Sequence, residues 1–203
     1  MEEIMKEKIY VFDLGNVIVT PINTKFLYEK LDCLISYENF LSFFLYDKSV
    51  IDAHAGLISD KKHIQKLLDF SKSQKSIEEY KRIYYEAKGV FFPDTVDIIE
   101  QLIKQRKKVC LLSNLRKIDF EWFQSHFDVH KFYRLFLSYE MHLNKPDKDI
   151  YLKMIDTLQV NPNDIYFFDD IEKNVQAAKE CGIQAFCVTG NTIKDIFYNQ
   201  CEL

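Results

Sequence analysis

The stretch IYVFDLGNVIV, residues 9–19, decides the fold of this chain of 203 residues. Its first four residues are apolar, and the run ends abruptly at the carboxylate of Asp13. A short apolar run without polar alternation is typical of a central strand that is covered on both faces of a sheet. Two further runs of the same kind are Val109–Leu112 and Ile165–Phe168. The three runs therefore predict the centre of one buried sheet.

Helical segments with one apolar face separate and follow these predicted strands. The clearest examples are Thr95–Arg106 and Asp147–Leu158. A further helical segment, NVQAAKECG, ends at Gly182, and Gln184–Val188 then has the composition of another strand. Strands that alternate with helices predict an α/β fold built on a doubly wound parallel sheet.

Residues 20–91 interrupt the alternation, because helical patterns follow one another there without a convincing strand. These patterns cover Thr24–Leu31, Tyr37–Leu45, Ser59–Phe70 and Ser76–Ala87. Serine at the start of the last two is a favourable N-cap. The sequence therefore predicts a helical cap at 20–91, inserted into a core formed by residues 1–19 and 92–203.

Composition excludes several classes of function. Lys and Arg total 27 against 31 Asp and Glu, so the net charge of −4 offers no basic surface for nucleic acid or anionic membrane. No apolar run approaches the ~18–20 residues of a membrane span, and the charged start MEEIMKEK lacks the apolar segment of a signal peptide. Five scattered cysteines without a CxxC pair suit a reducing compartment. We expect a cytoplasmic monomer or small homo-oligomer.

Polar side chains follow each of the three buried runs. They are Asp13 after the first, Ser113 and Asn114 after the second, and Asp169 and Asp170 after the third. One such placement is unremarkable, because Asp and Ser often cap the next helix. In an open parallel sheet, however, the carboxyl ends of the strands form the crevice where ligands bind. Three placements together predict one functional site.

The residue types at this edge suit magnesium and phosphate chemistry. Asp13 and Asp170 supply the carboxylate oxygens that Mg²⁺ prefers, and a divalent cation relieves the repulsion between clustered carboxylates. Ser113 offers a hydrogen-bond donor to phosphoryl oxygens. Lys145, in the loop LNKPDKDIY, offers a positive charge to a phosphate and to a nucleophilic carboxylate.

The order FDLGNV, LLSN, KPD and FFDDIEKN resembles the four motifs of the haloacid dehalogenase (HAD) superfamily of hydrolases. The resemblance covers nearly the whole chain, and the helical insertion is placed like the C1 cap of that superfamily. It implies that Asp13 is a nucleophile, which attacks phosphorus to form an aspartyl-phosphate that water then hydrolyses. It also implies that Ser113, Asn114 and Lys145 bind the transferring phosphoryl group.

The same resemblance implies a magnesium site. Asp13, Asp170 and the backbone carbonyl of Gly15 would be its ligands, and Asp169 is a second candidate ligand. Asn174 is expected to support the loop that carries the acidic pair.

Gly15 departs from the pattern of most phosphatases of this superfamily, which carry a second aspartate at this position. That aspartate protonates the leaving alcohol and later activates the water. A general acid or base typically contributes about 10²–10⁴-fold to rate. We therefore expect a phosphatase that is slow or favours good leaving groups. The stretch FDLGNVIV also resembles the subgroup of the α-D-glucose-1-phosphate phosphatase. The substrate of that enzyme carries an anomeric phosphate, which leaves easily.

Two further residues are candidates for substrate contact. His54 lies in the cap segment DAHAGLIS and is either a substitute acid/base in the site or a solvent-facing cap histidine. Arg116 is close enough in sequence to Ser113 to contact a sugar or phosphate, although a surface arginine at a helix start is equally plausible. Ala55 and Leu57 replace charged residues that the subgroup carries, so the substrate stays open.

Three functional hypotheses remain. The favoured one is a Mg²⁺-dependent phosphatase acting on a small phosphorylated metabolite, a sugar phosphate above all. A haloacid dehalogenase is disfavoured, because dehalogenases of this superfamily use no Mg²⁺ and need no carboxylate pair. A phosphoryl-accepting signalling module is the alternative from another class. Its acidic pair, however, would follow the first strand, and it needs no cap of about 70 residues.

Overall fold

The computed structural model describes residues 8–201, so residues 1–7 and 202–203 of the predicted core lie outside the described part. A five-stranded parallel sheet with the order β3-β2-β1-β4-β5 forms its centre. The strands are β1 (Ile9–Phe12), β2 (Lys108–Ser113), β3 (Arg134–Leu137), β4 (Ile165–Asp169) and β5 (Gln184–Cys187). Helices cover both faces, which confirms the predicted doubly wound α/β fold.

The central strand shows why its sequence is apolar throughout. Tyr10 and Phe12 contribute to one hydrophobic cluster, whereas Ile9 and Val11 contribute to a second cluster on the opposite face. Successive residues of a strand point to opposite faces, so a strand buried on both sides needs apolar residues at every position.

Six helices and two short 3₁₀ turns belong to this core. Five helices of the insertion come earlier in the chain, so the helices of the core are α6 (Pro93–Lys104), α7 (Lys117–His126), α8 (Ser138–Met141), α9 (Lys148–Leu158), α10 (Glu172–Glu180) and α11 (Ile193–Gln200). The 3₁₀ turns are Val129–Lys131 and Pro162–Asp164. Helices α6, α7 and α11 cover the face of Tyr10, and α9 and α10 cover the face of Ile9. Within residues 8–201, no helix combines the length and the apolar character needed to cross a membrane.

Five helices precede this group and form the helical insertion, as the sequence predicts for that region. They are α1 (Thr24–Lys30), α2 (Tyr37–Tyr46), α3 (Lys48–His54), α4 (Asp60–Ser71) and α5 (Ile77–Glu86). The side chains of Ser59 and Ser76 accept the expected capping hydrogen bonds at the starts of α4 and α5. The insertion has an apolar cluster of its own, to which Ile118 of α7 also contributes. Its division from the core as a separate cap domain stays a prediction.

Strand β3 and helix α3 are among the elements that sequence analysis did not predict, and both are short. Strand β3 has four residues and begins with the exposed Arg134 at the edge of the sheet, where pairing with β2 compensates for the weak pattern. Helix α3 has seven residues and buries Ser49, Val50 and Ala53 only, which is too little for a recognisable apolar face.

The two ends of the insertion leave the core side by side. Val19 and Phe91 form an isolated antiparallel bridge, and Thr20 N–H donates to the Val90 carbonyl at 2.8 Å. Phe92 N–H donates to the carbonyl of Ile18 at 2.9 Å. The insertion is thereby attached directly beside the carboxyl end of β1.

The buried sheet predicts a large difference between two leucine substitutions. Leu111 in β2 is fully buried, whereas Leu152 in α9 is 52% exposed. We expect Leu111→Ala to lower the free energy of unfolding by about 2–5 kcal/mol, because it removes buried methyl groups and leaves a cavity. Leu152→Ala, the matched control, should stay within about 0.5 kcal/mol. Urea unfolding of both variants tests this, and equal losses would contradict the assignment of β2 to the core.

Candidate active site

The carboxyl ends of β1 and β4 bring two carboxylates and a lysine into one buried cluster. Lys145 Nζ lies 2.8 Å from Asp13 Oδ1 and 2.6 Å from Asp169 Oδ2. Asp13 N–H donates to the Phe168 carbonyl at 2.9 Å, so the ladder between the strands continues to the two acids. All three charged side chains are buried. The cluster carries two negative charges and one positive charge.

The pKa values in this cluster follow from burial and from the neighbouring charges. The pKa of Asp13 is raised to about 6, because burial, together with the charge of Asp169, outweighs the opposing effects of Lys145 and of a hydrogen bond from Ser113. Burial lowers the pKa of Lys145, but Asp13 and Asp169 more than offset this, so that its pKa lies above the usual value. The lysine is therefore charged, and the excess negative charge favours a bound cation.

Asn114 holds the loop that carries Lys145. Its side-chain amide donates to the Lys145 carbonyl at 2.8 Å, and its amide oxygen accepts from the Lys145 N–H at 2.8 Å. Lys145 Nζ also donates to the Leu112 carbonyl at 3.0 Å. Asn114 was predicted to bind the phosphoryl group, but its amide is already engaged with the backbone of Lys145. The structure thus points to a positioning role.

The two acids after β4 have different surroundings. Asp169 is fully buried and accepts hydrogen bonds from Asn174 Nδ2 at 2.9 and 3.1 Å and from Ile171 N–H at 2.8 Å, besides its ion pair. A carboxylate has about four acceptor sites, so those of Asp169 are all used. Asp170 is half-buried and accepts from Asn16 Nδ2 at 3.0 Å. Asp170 therefore keeps free acceptor capacity, and Asp169 does not.

These acids form an oxygen-rich group that fits a magnesium ion. One carboxylate oxygen from each of Asp13, Asp169 and Asp170 lies within 4.8 Å of the others. Asp13 Oδ1 is buried without an aligned hydrogen bond, although the Lys145 ammonium is near. Burial raises the pKa of Asp170, which adds to the cost of leaving the group without a cation. Oxygen donors and an excess of negative charge are what Mg²⁺ prefers.

A cavity of about 190 Å³ opens between the carboxyl end of the sheet and the helical insertion. Gly15, Ser113 and Asn114 line it on the side of the sheet. His54 and Tyr84 line it from the insertion. Its remaining wall includes apolar groups of Val19, Ile22, Leu115 and Trp122.

His54 faces this cavity, which corrects the alternative of a solvent-facing cap histidine. Burial, together with the positive charge of Arg116, lowers the pKa of His54 to about 4. The imidazole is therefore neutral near pH 7, where it can accept a proton but has none to give as an imidazolium. Its backbone carbonyl accepts a hydrogen bond from Ser138 Oγ at 2.6 Å, which ties the end of α3 to the core.

Arg116 takes a position that sequence analysis did not foresee, because it is neither on the surface nor in the cavity wall. The side chain is buried, its Nε donates to Asp119 Oδ2 at 3.1 Å, and its guanidinium lies 4.8 Å from the ring centroid of Tyr84. Attraction to a buried carboxylate and an aromatic ring accounts for this position. The predicted contact with a sugar or phosphate therefore has no support from the geometry.

The turn after Asp13 places its left-handed residue at Asn16, with φ of 56°, and Gly15 has no positive φ. A Cβ added to Gly15 would meet no atom within 4 Å. The backbone therefore does not require glycine at position 15. A side chain there would extend into open space beside the site.

The cavity is also lined by residues that sequence analysis did not identify, among them Lys88, Tyr84 and Asp119. Nothing in the local pattern distinguishes Lys88 from a solvated surface lysine. Tyr84 and Asp119 have the spacing of ordinary helical residues in α5 and α7. Trp122 belongs to the hydrophobic core and also lines the cavity.

Comparison with known proteins identifies the family. A model of the haloacid dehalogenase-like hydrolases matches residues 11–188, and the chain therefore belongs to this family. A phosphorylated carbohydrates phosphatase of Thermotoga maritima is 27% identical over 154 residues, which are 68% of this chain and 68% of that protein. The resemblance to the narrower glucose-1-phosphate phosphatase subgroup stays a prediction.

Solved structures show the same fold. A HAD family enzyme from Bacteroides thetaiotaomicron, in complex with magnesium and inorganic phosphate, has a TM-score of 0.79 at 23% identity, covering 91% of this chain and 95% of that one. A HAD-like family hydrolase from Porphyromonas gingivalis has a TM-score of 0.80 at 21% identity, covering 97% of this chain and 99% of that one. At these identities the similarity establishes the architecture.

The unequal surroundings of the acidic pair predict different consequences for two alanine variants. Asp169→Ala should lower the free energy of unfolding by about 3–5 kcal/mol, because it leaves the buried Lys145 ammonium with one partner fewer. Asp170→Ala should cost about 1 kcal/mol or less but weaken Mg²⁺ binding sharply. Urea unfolding and calorimetric Mg²⁺ titration test the pair. Wild-type Mg²⁺ affinity in Asp170→Ala would contradict the assignment.

Proposed function

We propose that this chain is a Mg²⁺-dependent phosphatase that hydrolyses a small phosphorylated metabolite through an aspartyl-phosphate on Asp13. The observation that carries the proposal is the convergence of Asp13, Lys145 and the acidic pair at one edge of the sheet, with the carboxylate oxygens within 4.8 Å. Membership of the haloacid dehalogenase-like hydrolases supports it. The name of the relative from Thermotoga maritima supports phosphorylated carbohydrates as the class of substrate.

The chain's own residues account for nucleophilic attack. Lys145 keeps Asp13 ionised and oriented, so that a carboxylate oxygen can attack phosphorus. The new bond between Asp13 and phosphorus forms while the bond from phosphorus to the leaving oxygen breaks. Ser113 donates a hydrogen bond to a transferring phosphoryl oxygen, and Lys145, whose N–H groups already serve Asp13, Asp169 and Leu112, contributes its positive charge. Water then attacks the aspartyl-phosphate and regenerates the carboxylate.

Asp13, Asp170 and the Gly15 carbonyl are the groups that would hold Mg²⁺, which when bound supplies positive charge to the phosphoryl oxygens. Asp169 is assigned a positioning role, because its acceptor sites are occupied by Lys145, Asn174 and Ile171. This choice resolves the two candidate ligands of the acidic pair in favour of Asp170.

The lack of a proton donor limits which leaving groups the site can release. Gly15 has no side chain to donate a proton, and the neutral His54 in the cavity wall can serve only as a proton acceptor, for the attacking water. The leaving oxygen therefore departs as an anion or takes its proton from water. Anomeric sugar phosphates and aryl phosphates meet this requirement better than phosphates of simple alcohols.

Two alternatives make different demands on the site. A dehalogenase uses the aspartate nucleophile without a metal, and the clustered acids of this site favour metal-dependent chemistry instead. A phosphoryl-accepting signalling module would form the aspartyl-phosphate but turn over slowly. Multiple turnover with a phosphate ester separates the phosphatase from both.

The nucleophile assignment predicts the effect of Asp13→Asn. The amide cannot attack phosphorus as a carboxylate does, so Mg²⁺-dependent phosphate release from 4-nitrophenyl phosphate should fall by more than about a thousandfold. Asp97→Asn, at an exposed position of α6, is the matched control and should retain wild-type turnover. Wild-type turnover in Asp13→Asn would refute the mechanism, and a single burst without turnover in the wild-type protein would favour the signalling module.

The absent proton donor predicts a steep dependence of turnover on the leaving group. In wild-type protein, aryl phosphates should be hydrolysed much faster than alkyl phosphates, because a poor leaving oxygen needs protonation in the transition state. Gly15→Asp should flatten this dependence, chiefly by accelerating the alkyl esters, and the open space at position 15 should preserve thermal stability. Kinetics with a series of esters, beside thermal unfolding, test both points. An unchanged dependence in the folded variant would mean that another residue already supplies the proton.

A further inference from the structure

A second buried cluster of charges contributes to the wall of the cavity that Gly15 and Ser113 also line. Asp119 Oδ1 accepts from Lys88 Nζ at 2.6 Å and from Tyr84 Oη at 2.5 Å. Asp119 Oδ2 accepts from the backbone N–H of Arg116 at 3.0 Å and from its Nε at 3.1 Å. The acceptor sites of Asp119 are thereby all used, and the residue has none left for a ligand.

Two cations share this one carboxylate, so the cluster carries one positive charge in excess. Arg116 is buried behind the cavity wall, but Lys88 and Asp119 line the cavity itself. The side chain of Lys88 is 14% exposed, and its ammonium lies 4.7 Å from the ring centroid of Tyr84 and 5.7 Å from that of Trp122. An ammonium has three N–H donors, and Lys88 uses one of them on Asp119.

Other acids near this cluster face elsewhere. Asp60 and Glu121 line a separate cleft on the outer side of α7, which Lys61, Lys81 and Lys117 also line. Asp60 Oδ2 accepts from the N–H of Ile118 at 2.8 Å. Neither acid lines the cavity, although Asp60 also interacts electrostatically with Arg116.

The backbone fixes Lys88 at this place. Gly89, the next residue, packs so closely on Thr20 that a Cβ would collide with the Thr20 backbone. Val90 N–H donates to Thr20 Oγ1 at 3.0 Å, and the Thr20 N–H donates back to the Val90 carbonyl at 2.8 Å. The paired linkers thus hold Lys88 beside the cavity rather than in solvent.

We propose that Lys88 is a specificity-determining residue that binds a carboxylate on the leaving group of the substrate. This inference rests on the proposed phosphatase function. At the sheet, Lys145 and the cation implied by the acids are matched to the phosphoryl group. In the cavity wall, the Lys88 ammonium has N–H donors that Asp119 does not use, and a single carboxylate of the ligand would accept from them in a partly desolvated place where charge pairing discriminates between ligands. The substrate class is therefore a small phosphorylated carboxylic acid, with a good leaving oxygen.

A matched pair of esters tests the proposal. The esters 3-carboxyphenyl phosphate and 3-carbamoylphenyl phosphate have nearly the same shape, and only the first carries a charge on the leaving group. In wild-type protein with Mg²⁺, the carboxylated ester should have a kcat/KM at least about tenfold higher, mainly through a lower KM. Lys88→Arg should keep the preference. Lys88→Gln should abolish it, while kcat/KM for the carbamoyl ester stays within about threefold.

A lysine outside the cavity supplies the control, and the same kinetic assay supplies the results that would overturn the proposal. Lys81→Gln, at an exposed lysine of α5 outside the cavity, should behave as wild type. Equal kcat/KM for the two esters in wild-type protein would overturn the proposal. So would a proportional loss for both esters in Lys88→Gln, because that is the result of a purely structural link between Lys88 and Asp119. Thermal unfolding of each variant shows whether the fold is kept.

A binding measurement separates this proposal from the proposed function. If wild-type protein hydrolyses neither ester, the phosphatase assignment fails, and calorimetry with 3-hydroxybenzoate and 3-hydroxybenzamide decides the role of Lys88. Tighter binding of the benzoate by wild type and by Lys88→Arg, but not by Lys88→Gln, would support the anion site. Equal binding of the two compounds, or no binding of either, would overturn it.

Discussion

The buried ion cluster of Lys145 with Asp13 and Asp169 is the constraint on which the rest of the site depends. Removing three charges from water is costly, and attraction repays that cost only when the geometry is held tightly. The register of β1 and β4 sets the acids side by side, Asn114 fixes the lysine loop, and Asn174 fixes Asp169. Most polar contacts around the cluster serve this positioning.

The structure contains two buried charge clusters whose net charges have opposite signs. The cluster at the sheet has an excess of negative charge, which suits a cation and, through it, a phosphoryl group. The cluster of Lys88, Arg116 and Asp119 carries more positive than negative charge, and Lys88 and Asp119 line the cavity. Under the proposed function, a ligand with a phosphoryl group and a carboxylate would therefore be oriented by two different charge clusters before any chemistry begins.

In the loop after Asp13, the backbone adopts a special conformation at residue 16 but not at residue 15. Asn16 adopts the left-handed conformation and donates to Asp170 Oδ2 at 3.0 Å, so it shapes the turn and orients the acid. Gly15, by contrast, is neither strained nor crowded. The missing carboxylate at position 15 is consequently a chemical property of this sequence and not a consequence of its fold. Under the proposed function, the leaving group and not the loop would limit turnover.

The sequence alone determined four of the five strands, because short apolar runs have few ways to be buried, and it determined the helix starts at Ser59 and Ser76 through local capping. It also indicated which residues meet at the strand ends, since parallel strands align their carboxyl ends. Only the tertiary structure decided where Arg116 and Lys88 lie. Lys88 and Asp119 are 31 residues apart, and no local pattern encodes their contact. Whether a long cationic side chain turns to solvent, to a buried acid or to a cavity depends on packing between the insertion and the core, which becomes defined only when the chain has folded.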